Sequence, residues 1–262
     1  MDMYAFGWCS GIERAEVLKK MGFDYIECAL ASLNLENDEE FAEKLPLYVN
    51  SPIPVRAFNI FFPGDLKVVG PEVDAERVRR YVQKAANAVH QVGAETVVLG
   101  SGRSRNCPEG WEMSRAEEQI VLLLEQIGDA FAGTGATLAI EPLNKKESNM
   151  INNVSEAVRF AQMVNHPSIR VLADFYHMDE EAEPLQTLID NKEWLQHIHI
   201  ADTGRFSPGT GQYPYEQFVP ALRAAGYEGL ISAECTVREP DVEMPVSLAF
   251  MRRMFGGGSQ RL

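Results

Sequence analysis

Four short apolar stretches in the second half of the chain decide the fold: Thr137-Leu-Ala-Ile-Glu141, Val171-Leu-Ala-Asp174, His197-Ile-His199 and Leu230-Ile-Ser-Ala-Glu234. Each stretch has the length and composition of a buried β-strand, and helix-like sequence separates it from the next. Each also ends in a side chain that can bind a metal. Parallel strands joined by helices present their carboxyl ends at one face of the sheet. We therefore expect four side chains to converge at this face: Glu141, Asp174, His199 and Glu234.

Strand-like and helix-like segments alternate along the whole chain. The predicted strands are Tyr4–Cys9, Tyr25–Ala29, Pro54–Phe61, Thr96–Leu99, Thr137–Glu141, Arg170–Asp174, His197–Ala201 and Gly229–Cys235. The predicted helices are Ile12–Met21, Asp38–Val49, Asp74–Val92, Arg115–Ala132, Val154–Val164, Glu183–Leu195, Tyr215–Ala225 and Pro245–Phe255. Eight such units without a break in composition favour a closed barrel over an open sheet. The sequence predicts an α/β fold, a single-domain (β/α)8 TIM barrel over residues 1–255, followed by a flexible tail over 256–262.

The charge and the cysteines of the chain limit its partners and its compartment. A formal net charge of −14 on 262 residues argues against polyanionic partners, because neutralising phosphates requires clustered lysine and arginine. We expect neither a signal peptide nor a membrane-spanning segment, because the first residues lack a basic region before an apolar stretch and no run of about 18 apolar residues occurs. The four cysteines share no CxxC spacing, and we interpret them as reduced packing thiols. We expect a cytoplasmic protein that binds neither nucleic acid nor membranes.

Three carboxylates and one imidazole at one face predict a site for one divalent metal ion. A single acid at a strand end can simply begin a loop, but the same feature on four successive strands favours a shared metal. Hard oxygen ligands with one imidazole suit Mn²⁺, Mg²⁺, Co²⁺ or Zn²⁺. The donor set does not rank these ions, and we take Mn²⁺ as the expected one. Neither a GxGxxG nor a GxxxxGK[ST] motif follows any strand, so no nucleotide cofactor is expected.

Side chains close to the four ligands are candidates for substrate contacts. His197 and His199 face the same side of one strand, and we choose His199 as the ligand because it lies nearer the carboxyl end. His197 then occupies a packed, hydrogen-bonded position deeper in the barrel. His177, three residues after Asp174, can hydrogen-bond a ligand or a substrate oxygen, or lie on the surface. Arg205 can hold a substrate oxygen or form a loop salt bridge.

The loop Gly100–Trp111 is long and rich in turn residues. It could fold over the mouth of the barrel with Trp111 against an apolar part of the ligand, or Trp111 could pack on the barrel rim. Four cationic side chains could meet a substrate phosphate, although we expect them to be exposed and solvated: Lys145, Lys146, Arg103 and Arg105.

These motifs resemble the xylose isomerase-like barrel superfamily, and within it the ketose 3-epimerase and hydroxypyruvate isomerase group. The resemblance rests on Ile140-Glu-Pro-Leu-Asn144, Asp174-Phe-Tyr-His-Met178, His197-Ile-His-Ile-Ala-Asp202 through Arg205, and Ala233-Glu234. The architecture is similar over the whole chain. His199 is more similar to the epimerases, whereas Ala201-Asp202 and Pro208-Gly-Thr-Gly211 are more similar to the hydroxypyruvate isomerases.

The resemblance implies roles for particular residues. In this group a glutamate after strand five, an aspartate, a histidine or glutamine on strand seven and a final glutamate hold one divalent metal. The matching positions here are Glu141, Asp174, His199 and Glu234. The resemblance also implies three substrate-binding residues: His177, Arg205 and Glu147.

Together with these residues, the resemblance implies a metal-dependent isomerase or epimerase that acts on a ketose or a related 2-oxo sugar. A metal that bridges a carbonyl oxygen and the adjacent hydroxyl would acidify the intervening carbon by stabilising an enediolate. Glu141 and Glu234 are the expected acid–base pair: one removes a proton and the other returns one. Return of the proton to the adjacent carbon would instead give aldose–ketose isomerisation.

Three other functions are compatible with such a barrel. A lyase or dehydratase would use the same enolate to expel a β-substituent, as in inosose dehydratase-like or C-glycoside-cleaving relatives. An endonuclease of the apurinic type would need further histidine ligands after strands two to four, which Phe58-Asn-Ile-Phe-Phe62 and Val97-Val-Leu-Gly100 do not supply. A sugar-binding barrel without catalysis is the third. For the isomerase or epimerase, which we favour, the expected partner is a small-molecule sugar. Association into a homo-oligomer is left open.

Overall fold

The eight predicted strands close into a parallel barrel. In this computed structural model, which describes residues 3–256, every strand pairs in parallel with its neighbours in chain order, and the last strand pairs with the first. The strands are β1 (Tyr4–Cys9), β2 (Tyr25–Ala29), β3 (Val55–Asn59), β4 (Thr96–Leu99), β5 (Thr137–Ile140), β6 (Ile169–Asp174), β7 (Leu195–Ile200) and β8 (Gly229–Ala233). The predicted (β/α)8 TIM barrel is confirmed. The predicted tail lies outside the described residues, apart from Gly256.

Helices surround the barrel and cover the outer face of the strands. They are α1 (Ala15–Met21), α2 (Asp38–Val49), α3 (Ala75–Val92), α4 (Gly102–Arg105), α5 (Met113–Phe131), α6 (Val154–Val164), α7 (Phe175–Glu180), α8 (Gln186–Asp190), α9 (Tyr215–Ala224) and α10 (Pro240–Phe255). The main apolar core lies between the strands and these helices. Within residues 3–256, no helix combines the length and the apolar character needed to cross a bilayer.

Side-chain caps and proline geometry fix several helix ends. Asp74 accepts hydrogen bonds from two backbone N–H groups in the first turn of α3, and Gly93 ends that helix at a φ of 77°. The helix α10 begins at Pro240, five residues before the predicted start, because proline fits the first turn of a helix.

The helix predicted over Glu183–Leu195 is wrong. The structure has the short helix α8, a 3-10 turn over Lys192–Trp194, and Leu195 as the first residue of β7. Asn191 ends α8, since its side-chain amide donates to the Thr187 carbonyl oxygen and its backbone N–H bonds the same atom. Because α8 ends early, Leu195 can begin the strand that carries His197 and His199.

Candidate metal centre and active site

The barrel brings the four predicted ligands together at the carboxyl ends of β5 to β8. Glu141 follows β5, Asp174 ends β6, His199 lies in β7 and Glu234 follows β8. One ligand atom from each residue lies within 4.8 Å of the ligand atoms of the other three. The His199 Nδ1 atom is 3.3 Å from Glu141 Oε1 and 3.5 Å from Glu234 Oε2. These four residues could hold a metal ion.

Unpaired buried atoms at this point fit a cation. Glu141 Oε1, Asp174 Oδ2 and His199 Nδ1 are buried without a hydrogen-bond partner. Buried polar atoms are normally satisfied, and leaving two carboxylate oxygens unpaired in one place costs free energy. A divalent ion would satisfy all three atoms at once, and this donor set of oxygens with one imidazole is one that Mn²⁺, Mg²⁺, Co²⁺ and Zn²⁺ accept.

The pKa shifts in the cluster reflect the burial of the four side chains and the charges that they place on one another. Burial raises the pKa of Asp174 to about 6, although His199 acts in the opposite direction. Burial and the nearby Glu234 charge raise the pKa of Glu141. Burial also opposes charge on Glu234, but His199 and Arg205 outweigh it and hold the Glu234 pKa well below its usual range. Burial lowers the pKa of His199, yet Glu27 and Glu234 raise it more, so the net shift is upward.

Glu27 is a site residue that the sequence interpretation missed. It lies in the middle of β2 with 0% exposure, and its carboxylate accepts hydrogen bonds from Nε2 of both His197 and His199, at 2.8 and 2.9 Å. His197 therefore occupies the deeper, hydrogen-bonded position. The available signal was an acid inside the otherwise apolar strand Tyr25-Ile-Glu-Cys-Ala29.

Two side chains hold the Glu234 carboxylate in place. Asn59, the last residue of β3, donates from Nδ2 to Glu234 Oε1 at 2.9 Å. Arg205 donates to the other oxygen, Oε2, at 2.7 Å and also donates to both oxygens of Glu147, at 3.1 and 3.2 Å. The predicted substrate-binding residues Arg205 and Glu147 thus form an ion pair with each other beside the site. Asn59 is a second residue that the sequence interpretation missed.

His177, the third predicted substrate-binding residue, is buried beside the ligands. Its Nδ1 atom accepts a hydrogen bond from the backbone N–H of Asn144 at 3.1 Å, so a neutral His177 carries its proton on Nε2. Its Nε2 atom is 3.8 Å from Asp174 Oδ2 and has no hydrogen-bond partner. Burial lowers the pKa of His177, which keeps the ring neutral. The ring therefore offers one unused N–H at the metal centre.

A cavity of about 350 Å³ opens above the carboxylates. Its lining includes Glu141, Glu147, Arg205 and Glu234 from the second half of the barrel and Ile60, Phe62 and Ser101 from the first. Three lining residues have left-handed backbone: Ile60 at a φ of 45°, Ser101 at 42° and Arg205 at 60°. For a β-branched residue such as Ile60 this conformation is strained, and such strain clusters at functional sites.

A larger cavity of about 580 Å³ lies away from the ligand cluster and contains none of the four ligands. Its lining includes Asp202, Tyr213 and Phe250. Asp202 organises the adjoining loop, because its carboxylate accepts from the backbone N–H groups of Thr203, Gly209 and Tyr213. We therefore place the site in the smaller cavity, which the candidate ligands Glu141 and Glu234 line.

The loop after β4 forms part of the rim, but Trp111 does not. Ser101 to Ser104 line the smaller cavity, whereas Trp111 packs in an apolar groove with residues of α3 and α5. Of the four cationic candidates for phosphate, Lys145 and Lys146 are exposed and pair with Glu181 and Glu180.

The expectation that all four cationic side chains are exposed and solvated is wrong for Arg105. It is 0% exposed and donates to the backbone oxygen of Glu141 at 2.7 Å, so its charge lies behind the strand end that carries this ligand. Burial lowers the Arg105 pKa to about 10, and the Glu141 carboxylate acts against that shift. Arg103 remains at the rim of the cavity.

Comparisons with known proteins show which family and which relatives this chain is similar to. A sequence model of the xylose isomerase-like TIM barrel family matches residues 15–254. A 3-dehydro-D-guloside 4-epimerase from Escherichia coli (strain K12) is 27% identical over 92% of this chain and 94% of its own length. A D-psicose 3-epimerase from Agrobacterium fabrum is 27% identical over 85% of this chain and 78% of its own.

A solved structure has the same fold over nearly the whole chain. The apo crystal structure of a 3-keto-D-glucoside 4-epimerase from E. coli superposes with a TM-score of 0.81 at 25% identity, covering 95% of this chain and 99% of the other. The expectation of an enzyme of the isomerase and epimerase class is confirmed by these relatives. The chain belongs to the xylose isomerase-like TIM barrel family.

Proposed function

We propose that this protein is a divalent-metal-dependent epimerase of keto sugars, which inverts a carbinol carbon next to a carbonyl group. The observation that carries the proposal is the set of unpaired buried atoms on Glu141, Asp174 and His199, which face one point beside a cavity. A cavity of about 350 Å³ is of a size that accepts a small ligand such as a monosaccharide unit.

The relatives narrow the substrate class to be tested. The 3-dehydro-D-guloside 4-epimerase aligns over almost the full length of both chains, and the psicose epimerase over most of them. A ketose and a 3-keto glycoside share the same reactive unit, a carbonyl beside a carbinol carbon. We propose substrates with this unit, free or glycosidic, and Mn²⁺ as the first metal to test.

The metal's contribution follows from the reacting unit. A divalent ion held by Glu141, Asp174, His199 and Glu234 would polarise the carbonyl and the neighbouring hydroxyl and so stabilise the enediolate. The donor set suits this role, since carboxylate oxygens with one imidazole are ligands that Lewis-acidic ions such as Mn²⁺ accept.

The proton transfers belong to Glu141 and Glu234. One carboxylate removes the proton from the carbinol carbon, and the other returns a proton to the opposite face. Asn59 and Arg205 each bond one oxygen of Glu234, which fixes the plane of that carboxylate. The free N–H of His177 and the Arg205 guanidinium would hold substrate oxygens, and the ion pair with Arg205 would keep Glu147 beside them.

Deuterium incorporation tests the proposal directly. The Mn²⁺-loaded protein is incubated in D₂O with ketoses and 3-keto glycosides, and the products are analysed by NMR and mass spectrometry. We expect one deuterium at the inverted carbon and no uptake by Glu141→Gln or Glu234→Gln. Glu183→Gln is the matched control, since Glu183 is a partly buried acid that lines neither the cavity nor the ligand cluster.

Other outcomes identify the alternatives. Deuterium on the neighbouring carbon would indicate aldose–ketose isomerisation, and a product lighter by the mass of a leaving group would indicate a lyase. Normal turnover by either Gln variant would remove the acid–base assignment. Three metal ions per chain would favour phosphodiester hydrolysis instead.

We also propose a reducing compartment such as the cytoplasm. All four cysteines, Cys9, Cys28, Cys107 and Cys235, are free thiols, and Cys28 and Cys107 are buried. Free buried thiols are usual in proteins of reducing compartments.

A further inference from the structure

A buried carboxylate crosses the interior of the barrel below the metal centre. Glu27 belongs to β2, which is three strands away from β7 around the closed sheet, and it is 0% exposed. Its two oxygens reach the two β7 histidines: Oε2 accepts from His197 Nε2 and Oε1 accepts from His199 Nε2. The contacts join opposite sides of the barrel directly beneath the ligands.

A chain of hydroxyl groups donates to this carboxylate on the oxygen that also bonds His197, not on the one that bonds His199. Ser232 Oγ donates to Glu27 Oε2, and because a hydroxyl carries one proton, the Tyr25 hydroxyl must donate to Ser232 Oγ, at 2.7 Å. All three side chains are completely buried. A carboxylate can only accept hydrogen bonds, so every partner of Glu27 is forced to be the donor.

This direction of donation fixes the protonated nitrogen of His199. Its Nε2 must carry a proton in order to donate to Glu27, so Nδ1 is the nitrogen that can present a lone pair to a cation once the ring has lost its second proton. Nδ1 has no hydrogen-bond partner and faces Glu141 and Glu234. Metal-binding histidines commonly have their second nitrogen bonded to a carboxylate in this way.

We propose that Glu27 is a positioning residue for the metal: it holds His199 in the orientation and tautomer in which Nδ1 binds the ion. This inference rests on the proposed metal site but not on the identity of the sugar. A glutamine at position 27 would hold the His199 tautomer less firmly, because its amide can accept from one histidine but must donate to the other. His197 and His199 would then compete for the single acceptor, and the second histidine would lose the Nε2–H tautomer.

The test measures Mn²⁺ affinity separately from fold stability. Chelator-treated wild-type protein and Glu27→Gln are titrated with Mn²⁺ by calorimetry, and their melting temperatures are recorded without metal. We expect Mn²⁺ binding by Glu27→Gln to be weaker by about 10- to 100-fold. Ser232→Ala is the matched control: it removes one donor to Glu27 but leaves the bond to His199, so affinity should change less than about threefold.

Three outcomes would overturn the inference. One is an unchanged Mn²⁺ affinity in Glu27→Gln with a lowered melting temperature, which would make Glu27 a stabilising core residue only. Another is an equal loss of affinity in Ser232→Ala. The third is two ions per wild-type chain, with the second lost in Cys9→Ser, because Cys9, Glu27 and His199 would then form a metal site of their own.

Nitrogen NMR of the wild-type protein covers the case in which Glu27→Gln does not fold. In Zn²⁺-loaded protein labelled with ¹⁵N-histidine, we expect His199 to carry a proton on Nε2 and to show a metal-shifted Nδ1. A proton on Nδ1 would overturn the inference. The proposed function is tested separately. If the protein binds Mn²⁺ through this arrangement but exchanges no substrate deuterium, the role of Glu27 stands and the proposed epimerase activity is wrong.

Discussion

The two halves of the barrel contribute to the site in different ways. The strands β5 to β8 end in the four side chains that could bind a metal, whereas β1 to β4 contribute Glu27 from inside the barrel and Asn59 from a strand end. Within residues 3–256, the ligand cluster contains nothing from the first half. The difference suggests a division of labour for the proposed enzyme: β5 to β8 would supply the reacting groups, and Glu27 and Asn59 of the first half would help to hold two of them in position.

The first half also leaves room for the Glu141 carboxylate, because a glycine follows β4. Gly100 follows β4, and a side-chain carbon added there would collide with the Glu141 carboxylate. The backbone of the loop after β4 thus lies against the first ligand, and Arg105 from the same loop bonds the Glu141 backbone oxygen. Close approach of this kind requires the small residue.

The largest effect expected from this division is the loss of metal binding when a ligand in the second half changes. Asp174→Asn should weaken Mn²⁺ binding by about 100-fold or more, because an anionic donor becomes neutral. The fold should survive, since the new amide oxygen can still accept from the Tyr176 N–H and cap α7. Calorimetric titration and melting temperature measure the two effects.

A matched change in the first half gives the control. Asp24→Asn makes the same substitution at an acid just before β2, where the side chain accepts from the Phe6 N–H. We expect its Mn²⁺ affinity to equal that of the wild type. Equal losses in both variants would mean that general charge, and not ligand position, determines binding.

A smaller effect is expected from the first-half residue that holds Glu234. Asn59→Ala should lower kcat by about 10-fold, because a hydrogen bond to a charged group contributes about 1.5–3 kcal/mol. Mn²⁺ affinity should change less than about threefold, since Arg205 still holds the other oxygen. Steady-state kinetics with the substrate found in D₂O and a metal titration separate the two quantities.

Asn59→Asp sharpens this test. It places a second carboxylate against Glu234 Oε1 without a change in size, so repulsion replaces the hydrogen bond and kcat should fall further than in Asn59→Ala. A loss of metal as complete as in Asp174→Asn would show that Asn59 belongs with the ligands, and the division between the halves would fail.

The sequence predicts the second half better than the first, for a physical reason. A strand that ends in an acid or a histidine is a local pattern, and the parallel fold converts this pattern into convergence at one face. The partners of Glu27 lie 170 and 172 residues further along the chain, and Asn59 is 175 residues from Glu234. No local period encodes such contacts. The only available sign was a polar side chain inside, or at the end of, an apolar strand.

Two further errors arise from tertiary contacts that override local composition. Arg105 lies in a turn-rich loop that suggests solvent, yet the loop folds inward and the guanidinium bonds the Glu141 carbonyl oxygen. The apolar pattern over 183–195 is compatible with one helix, but Asn191 ends α8 and the remaining residues lead into β7.

The smallest predicted effect is a change in the pH dependence of stability caused by Glu183. It tests whether burial alone separates the acids of the metal centre from the other acids of the second half. Burial raises its pKa to about 7, although its carboxylate accepts from the Val154 N–H, which favours the charged form. The folded protein therefore binds more protons than the unfolded chain between about pH 4.5 and 7, and the wild type loses stability as pH rises through this range. Glu183→Gln cannot titrate and should avoid this loss.

The measurement is urea unfolding of the wild type and Glu183→Gln at pH 4.5 and pH 8. The variant should gain on the order of 1 kcal/mol relative to the wild type between these values, since solvent screens a partly exposed carboxyl. The gain should be the same with and without Mn²⁺, because Glu183 lines a different surface from the ligands. If Mn²⁺ abolishes the gain, Glu183 is coupled to the metal centre. A raised carboxyl pKa in the second half of the barrel would then be enough to identify a residue of the site. If the gain persists, only the acids whose oxygens lie 3.3 to 4.0 Å from His199 Nδ1 belong to it.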